Sequence, residues 1–288
     1  MTLTEIAALL GVNLALIVAV MLALWLVALR LKDVSFIDGV WPLGMLMLAL
    51  ATFPRTEGDP VRKGLLLWLV GVWALRLGWH LLARWRRQGA DGRYVEIVEN
   101  QERERGWRFG KTALLIVFLP QAALGWLTSL PVQLGQVAYG PQVGWIGWTG
   151  AVMAVIGIGF ESIGDAQLKA FKDDPKNKGK VLDTGLWRYT RHPNYFGDAL
   201  VWWGLYLIAA ETGPGVWSIA GPLFLTFTLT RWSGIGITEK AISKSRPGYA
   251  DYVKRTSAFI PWPPKKPEPA KKTEPAKKPA RKRKTPAA

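Results

Sequence analysis

Cysteine is absent from this 288-residue chain, and histidine occurs only twice, as His80 and His192. The first absence excludes disulfides, thiolate metal sites and cysteine nucleophiles, and no metal site is expected. Acidic residues are scarce too: 21 Asp and Glu stand against 37 Lys and Arg, for a formal net charge of +16. The chain also shows little of the even apolar–polar periodicity expected of a soluble domain.

Instead, the apolar residues come in blocks of about 20, the length that crosses a bilayer's hydrocarbon core as a helix. Gly and Pro inside the blocks do not argue against spans, because membrane helices tolerate both. We read an all-α, polytopic membrane protein with seven transmembrane helices, at residues 6–29, 34–53, 65–82, 112–130, 143–171, 195–210 and 216–230. The first block lacks a basic leader and its apolar stretch is too long for a signal peptide, so it reads as a retained span. The fifth is longer than the bilayer requires and should project beyond it. Residues 94–108, charged with scattered apolar positions, suit a short surface helix. Most of the 16 Trp read as interface anchors and packing residues.

Lys and Arg crowd residues 84–111 and 169–191, whereas residues 131–142 and 211–215 carry none. By the positive-inside rule the basic loops and the C-terminus face the cytoplasm and the N-terminus the periplasm. Arg55, Arg62 and Lys63 dissent, partly offset by Glu57 and Asp59. The chain divides into a membrane domain, 1–262, and a Lys/Pro/Ala-rich tail, 263–288, with ten cations against Glu268 and Glu274. Such a tail cannot bury enough apolar surface to fold, and anionic lipid head groups are its expected partner ahead of nucleic acid.

The densest polar signal joins the fifth and sixth spans. Glu161, Asp165, Lys169 and Lys172 share one helical face by their spacing. Then comes GLWRYTRHPNYFGDALVWWG, residues 185–204. Pro193 suits the first helical position, which puts Arg191 and His192 at a helix N-terminus, where unpaired amides attract anions. Asn194, Asp198 and Trp202 fall on one face of that helix. Polar groups inside a span are costly unless they face a polar cavity. Cations, a helix N-terminus and inward polar groups together suit a phosphate-bearing ligand with hydroxyls, such as a dinucleotide. A topogenic basic loop with a polar helix cap fits the same residue types.

RYTRHPNYFGD with WWG after it, Asp165 and Lys172 upstream, and the ending EKAISKSRPGYADYVKRTSAFIPW resemble the steroid 5α-reductase family. More narrowly, they are similar to its bacterial branch of uncharacterised membrane proteins. The resemblance is strong from 161 to 262 and weaker upstream, through SFIDGVWPLG and WALRLGWHLLAR; the tail lies outside it. It implies a seven-helix fold in a bacterial inner membrane and NADPH bound from the cytosolic side. It further implies hydride transfer to a carbon–carbon double bond conjugated to a carbonyl in a lipophilic substrate, steroid-like or another lipid. The motif match implies cofactor contacts from Asp165, Lys172, Arg191, His192, Asn194, Tyr195, Asp198, Trp202 and Tyr252. Lys172 stands where the family usually has Arg, and an ammonium cannot form the bidentate fork that a guanidinium offers phosphate.

In the steroid enzymes a Glu of the second span and a Tyr of the third polarise the substrate carbonyl. Here the second span offers Asp38, and the third offers Trp73, Arg76 and His80. Asp38 and His80 are therefore the candidate catalytic groups, with a Tyr from elsewhere left open. Asp38 and Arg76, both ionisable within spans, also suit a structural ion pair with each other. His80 lies four residues from Arg84, near the interface, where a merely solvated imidazole is the first expectation. Asp91 and Arg93 read as a loop contact.

A different reading compares the chain with isoprenylcysteine and phospholipid methyltransferases, which use S-adenosylmethionine. Arg191, His192, Pro193, Tyr195, Glu239, Tyr249 and Tyr252 fit that pattern, but its paired Glu-Glu is replaced by Thr238-Glu239. The missing Tyr in the third span leaves a third reading, a scaffold of the same fold without the chemistry. The substrate itself is not legible in any motif.

Overall fold

The computed structural model describes residues 1–232, 234–236, 239, 242 and 246–265. The expected basic tail therefore lies outside the described residues apart from its first three positions. Among the described residues the fold is all-helical, with no strand. Five helices are long and apolar enough to cross a membrane. They are α1 (Leu3–Leu31), α2 (Ile37–Thr52), α3 (Pro60–Gln88), α5 (Phe109–Thr128) and α7 (Trp145–Asp173). Between them lie α4 (Gly92–Arg105) and the short α6 (Leu130–Leu134).

The sixth expected span is α8 (Pro193–Ala209), 17 residues long. The seventh is interrupted: a helical turn at Gly213–Val216 and a 3-10 turn at Trp217–Ile219 precede α9 (Ala220–Phe227), which runs into a π turn at Thr228–Trp232. Pro214 and Pro222, with Gly213, Gly215 and Gly221 beside them, explain the interruption, since both residue types disfavour a continuous helix. A last helix, α10 (Tyr249–Arg255), carries the C-terminal motif.

Local chemistry sets the helix ends. Thr2 and Glu5 form a reciprocal capping box at the start of α1, and Lys32 closes it in the left-handed conformation. Asp59 caps α3 ahead of Pro60, and Asp91 caps α4. Helix α4 has no fully buried residue, in keeping with a surface helix, and Tyr94 is half-buried on it.

Two apolar clusters hold the bundle. One joins α2, α3, α7 and α8 around Trp73, Leu66, Trp202 and Leu205. The other joins α1, α2 and α5 around Ile17, Met21, Leu48 and Phe118. Large apolar side chains also cover the outside: Leu26, Trp68, Leu75, Trp79, Val152 and Val155 are all exposed. An apolar patch of this extent is unstable in water and suits a hydrocarbon surround.

Helices α7 and α8 pack unusually closely. Gly150, Gly157 and Gly164 recur every seven residues on α7, opposite Gly197 and Gly204 on α8. A Cβ on Gly157 would fall 2.7 Å from the Gly197 carbonyl oxygen, and one on Gly204 would fall 2.7 Å from the Ala154 nitrogen. Only glycine lets the two backbones meet at this distance. The close approach also sets the acids of α7 against the polar face of α8.

The dissenting cations at the N-terminus of α3 are not loop charges. Arg62 is fully buried and donates to the carbonyls of Ile208 (3.1 Å) and Pro141 (2.7 Å), with Glu211 3.5 Å away. Lys63 donates to the Phe53 and Thr56 carbonyls. Both tie the loops at that end of the bundle together. The positive-inside count treated them as surface charge, and burial removes them from it.

Candidate functional site

Helix α3 carries Arg76, His80 and Arg84 at four-residue spacing, which aligns them on one face. Each meets one or two acids, and Arg76 and His80 share Asp165. Arg76 lies 3.2 Å from Glu161 and 3.0 Å from Asp165, and its Nε donates to the Ser162 hydroxyl at 2.9 Å. His80 Nε2 lies 3.9 Å from Asp165. Arg84 lies 3.7 Å from Asp38 and 3.9 Å from Asp91. One polar stripe, rising about 12 Å along the helix at 1.5 Å per residue, thus runs from the interior to the basic end.

The expected Asp38–Arg76 pair is not formed. Arg76 points at α7, because Glu161 and Asp165 sit one turn apart opposite it. Asp38, in the first turn of α2, faces the loop after α3 and the start of α4. It accepts from Arg93 at 3.0 Å and from the Tyr94 hydroxyl at 2.6 Å. Arg93 in turn grips Asp91, so the Asp91–Arg93 loop contact reaches Asp38 as well. His80 belongs to the acid cluster and is not merely solvated.

Tyr94 is the residue that sequence reading missed. It lies on α4, outside any apolar block, yet its phenol meets the α2 carboxylate. Burial, and then the charge and hydrogen bond of Asp38, push its pKa well above the ordinary phenol range. It therefore stays protonated and able to donate at neutral pH. The GADGRY turn, which caps α4 through Asp91, was the available signal.

The inner cluster is acid-rich. Glu161, Asp165 and Asp198 are buried, and Arg76 is the cation in contact with two of them. Asn194 donates to Asp165 at 3.2 Å, joining α8 to the group. Trp73 and Trp202 meet edge to face, with ring centroids 5.2 Å apart. Asp198 Oδ1, Glu161 Oε2 and the Trp202 indole nitrogen are buried without a hydrogen-bond partner. Buried polar atoms left this way are costly and mark a place for ligand or water.

Cations gather at the mouth. Lys172, exposed at the end of α7, has Arg84, Arg246 and Asp91 as its charged neighbours. Lys169, also exposed, pairs with Asp173 at 2.6 Å on the outside instead. A cavity of about 270 Å3 opens here, lined by Ser35, Arg84, Gln88 and Asp91 among others.

The RHPNY segment builds a separate knot. Pro193 does open α8, with His192 at the cap. Arg191 spends its guanidinium on Glu239 (Nε at 2.6 Å) and on the carbonyls of Val253 and Thr256. His192 lies 3.2 Å from Glu239 and stacks on Tyr195. Burial works to raise the Glu239 carboxyl, but hydrogen bonds from His192 and Arg191 hold it at about 2. The Tyr252 hydroxyl donates to the Trp187 carbonyl, and Trp187 donates to the Gly164 carbonyl at 3.1 Å, anchoring the C-terminal motif on α7. Arg191, His192 and Tyr252 thus face the C-terminal segment, whereas Asp165, Asn194, Asp198 and Trp202 face the interior stripe.

A family model described as "Protein of unknown function (DUF1295)" matches residues 24–256. The chain belongs to the DUF1295 family. That family is the steroid 5α-reductase-like family in general. The matched span takes in the α3 stripe, the inner acids, Tyr94 and the RHPNY knot of this DUF1295 chain. It is also similar to the uncharacterized protein C594.04c of Schizosaccharomyces pombe, 22% identical over 270 residues, covering 83% of this chain and 75% of that protein. No solved structure matches significantly.

Proposed function

We propose that this DUF1295 chain is a membrane-embedded reductase that uses NADPH to reduce a carbon–carbon double bond conjugated to a carbonyl in a lipophilic substrate. The observation that carries the reading is the α3 stripe. It joins a buried, acceptor-rich cluster to a basic mouth at one end and to an acid–phenol pair at its side.

The residues fit the cofactor in two parts. Asp198, Asp165 and Asn194 suit the ribose hydroxyls and carboxamide, and the orphaned Asp198 oxygen is an acceptor awaiting a donor. Lys172, with Arg84 and Arg246 as like-charged neighbours, suits phosphate, since an anion among them relieves their repulsion. When bound, NADPH supplies the hydride. Tyr94 would turn its one proton from Asp38 toward the substrate carbonyl oxygen, where negative charge develops as the double bond is attacked. Asp38, fixed by Arg84 and Arg93, positions that phenol. The cavity of about 270 Å3 beside Arg84 and Asp91 is smaller than a usual ligand pocket of about 300–1,000 Å3.

In this reading α8 and the interrupted 213–232 segment complete seven spans, and the basic end faces the cytoplasm of a bacterial inner membrane. The substrate arrives from the lipid side, where an apolar enone partitions.

A second reading has one observation in its favour. The acid excess around Asp198 also suits the sulfonium of S-adenosylmethionine. That ligand carries no phosphate, however, and leaves the basic mouth without a role. Quenching of the abundant Trp fluorescence separates the two: the reductase reading expects saturable quenching by NADPH and none by S-adenosylmethionine. Asn194→Ala should weaken NADPH binding without unfolding the protein. Quenching by S-adenosylmethionine alone would replace the reductase with a methyltransferase, and binding of neither would leave an inactive scaffold. Screening apolar enones for NADPH oxidation then finds the substrate class.

A further inference from the structure

A second cavity, about 720 Å3, lies away from the α3 stripe, where the end of α1 meets the start of α5. Its wall is apolar: Trp25, Leu29, Phe109, Leu114 and Leu115. Its rim is basic, with Lys32, Arg108 and Lys111 against the single acid Glu102. All three cations are exposed.

The groove is a built feature. The Trp25 indole donates to the Gly110 carbonyl at 2.9 Å, and a Cβ on Gly110 would meet Leu29 at 2.9 Å. The two helices are thereby held at a fixed spacing. Lys32 closes α1 in the left-handed conformation, with its ammonium 5.7 Å from the Phe109 ring centroid, and the Lys111 ammonium lies 4.3 Å over Trp107. Arg108 stands at the N-cap of α5, and no side chain caps that helix end. Its first amides therefore add to the positive potential at the rim.

Depth decides the ligand. Seven residues separate Trp25 from Lys32, about 10 Å of helix rise. Leu114 and Leu115 lie a similar way down α5. Cations at head-group height above an apolar wall of that depth match an anionic phospholipid, its phosphate at the rim and its acyl chain against the wall. A free phosphate would gain nothing from the wall, and a neutral lipid nothing from the net charge of the rim.

We propose that this groove is a specific binding site for an anionic phospholipid. It does not depend on the reductase reading. The site holds a lipid between α1 and α5, with Glu102 of α4 at its edge.

The test is native mass spectrometry of the full-length protein released from detergent, titrated with phosphatidylglycerol or phosphatidylcholine. One phosphatidylglycerol should be retained in preference to phosphatidylcholine. The triple variant Lys32→Gln, Arg108→Gln, Lys111→Gln should lose that lipid, with affinity down about tenfold or more, since it removes all three rim cations. The three positions are exposed, so the fold is not at stake. A tail variant, Lys271→Gln, Lys272→Gln, Lys277→Gln, Lys278→Gln, controls for the other basic segment and should retain the lipid. Equal retention of the two lipids by the wild type overturns the proposal. So does a preference that survives the groove variant or disappears with the tail variant. Displacement of the lipid by millimolar inorganic phosphate alone would reduce the groove to an anion site and overturn it as well.

Discussion

The Tyr94 hydroxyl donates to the Asp38 carboxylate at 2.6 Å, linking a surface helix to the first turn of a membrane span. Burial and the Asp38 charge keep the phenol protonated, so rotation of the hydroxyl away from Asp38 gives a developing oxyanion a donor. Tyr94→Phe removes that donor and little else. We predict a fall of about 10²–10³ in the rate of enone reduction. NADPH affinity should stay within about twofold, because a phosphate- and ribose-binding site is untouched. Single-turnover NADPH oxidation measures the rate and Trp quenching the affinity. An unchanged rate would remove Tyr94 from the chemistry.

Arg76 bridges Glu161 and Asp165 from inside the bundle. Arg76→Met leaves both acids buried without their cation, and breaking a buried pair from one side costs about 3–5 kcal/mol. We predict a large drop in the detergent melting temperature. The second substitution Glu161→Gln should recover part of it, because the amide carries no charge to strand. A double variant as unstable as the single would mean that Arg76 acts through packing alone.

Lys172 feels the charges of Arg84, Arg246 and Asp91. Lys172→Glu puts a negative charge where the phosphates are proposed to sit. We predict that NADPH affinity falls about tenfold or more and loses much of its dependence on salt. S-Adenosylmethionine binding, if any, should not fall with it. Quenching titrations at two ionic strengths decide the matter. Unaltered NADPH affinity would move the phosphates elsewhere.

Much of this architecture was legible because hydrocarbon thickness imposes one length on every span. The blocks at 6–29, 65–82 and 143–171 each became a long helix. Pro193 opens α8 as expected, since a proline at the first helical position forfeits no intrahelical bond. The partner of Asp38 was not legible. Helical spacing relates residues of one helix, whereas Asp38 meets Tyr94 across 56 positions and two helices. The burial of Arg62 was hidden for the same reason: its acceptors, at Ile208 in the last turn of α8 and at Pro141 in the loop before α7, are distant in sequence. The α7–α8 contact did leave a trace, glycine every seventh residue at 150, 157 and 164, which apolar-block counting passes over. Motif matching grouped Arg191 and Asp198 because they are neighbours in sequence. In the fold they stand on opposite sides of the α8 N-terminus, one tied to Glu239 and the other facing the interior.

Glu239 links that knot to the pH dependence of stability. Its carboxyl sits at about 2 in the folded protein, against an ordinary value of 4.5, because His192 and Arg191 hydrogen-bond the charged form more than burial opposes it. A depressed carboxyl stabilises the fold above its unfolded pKa, and the stabilisation is lost as pH falls through the folded value. The contribution should therefore be complete near neutrality, decline from about pH 4.5, and vanish near 2. Glu239→Gln keeps the shape and removes the titration. Melting temperatures of wild type and variant, measured in detergent from pH 7 downward, should differ most at neutrality and converge on acidification. Parallel curves for the two proteins would show that Arg191 is held by the Val253 and Thr256 carbonyls and that the carboxylate contributes nothing.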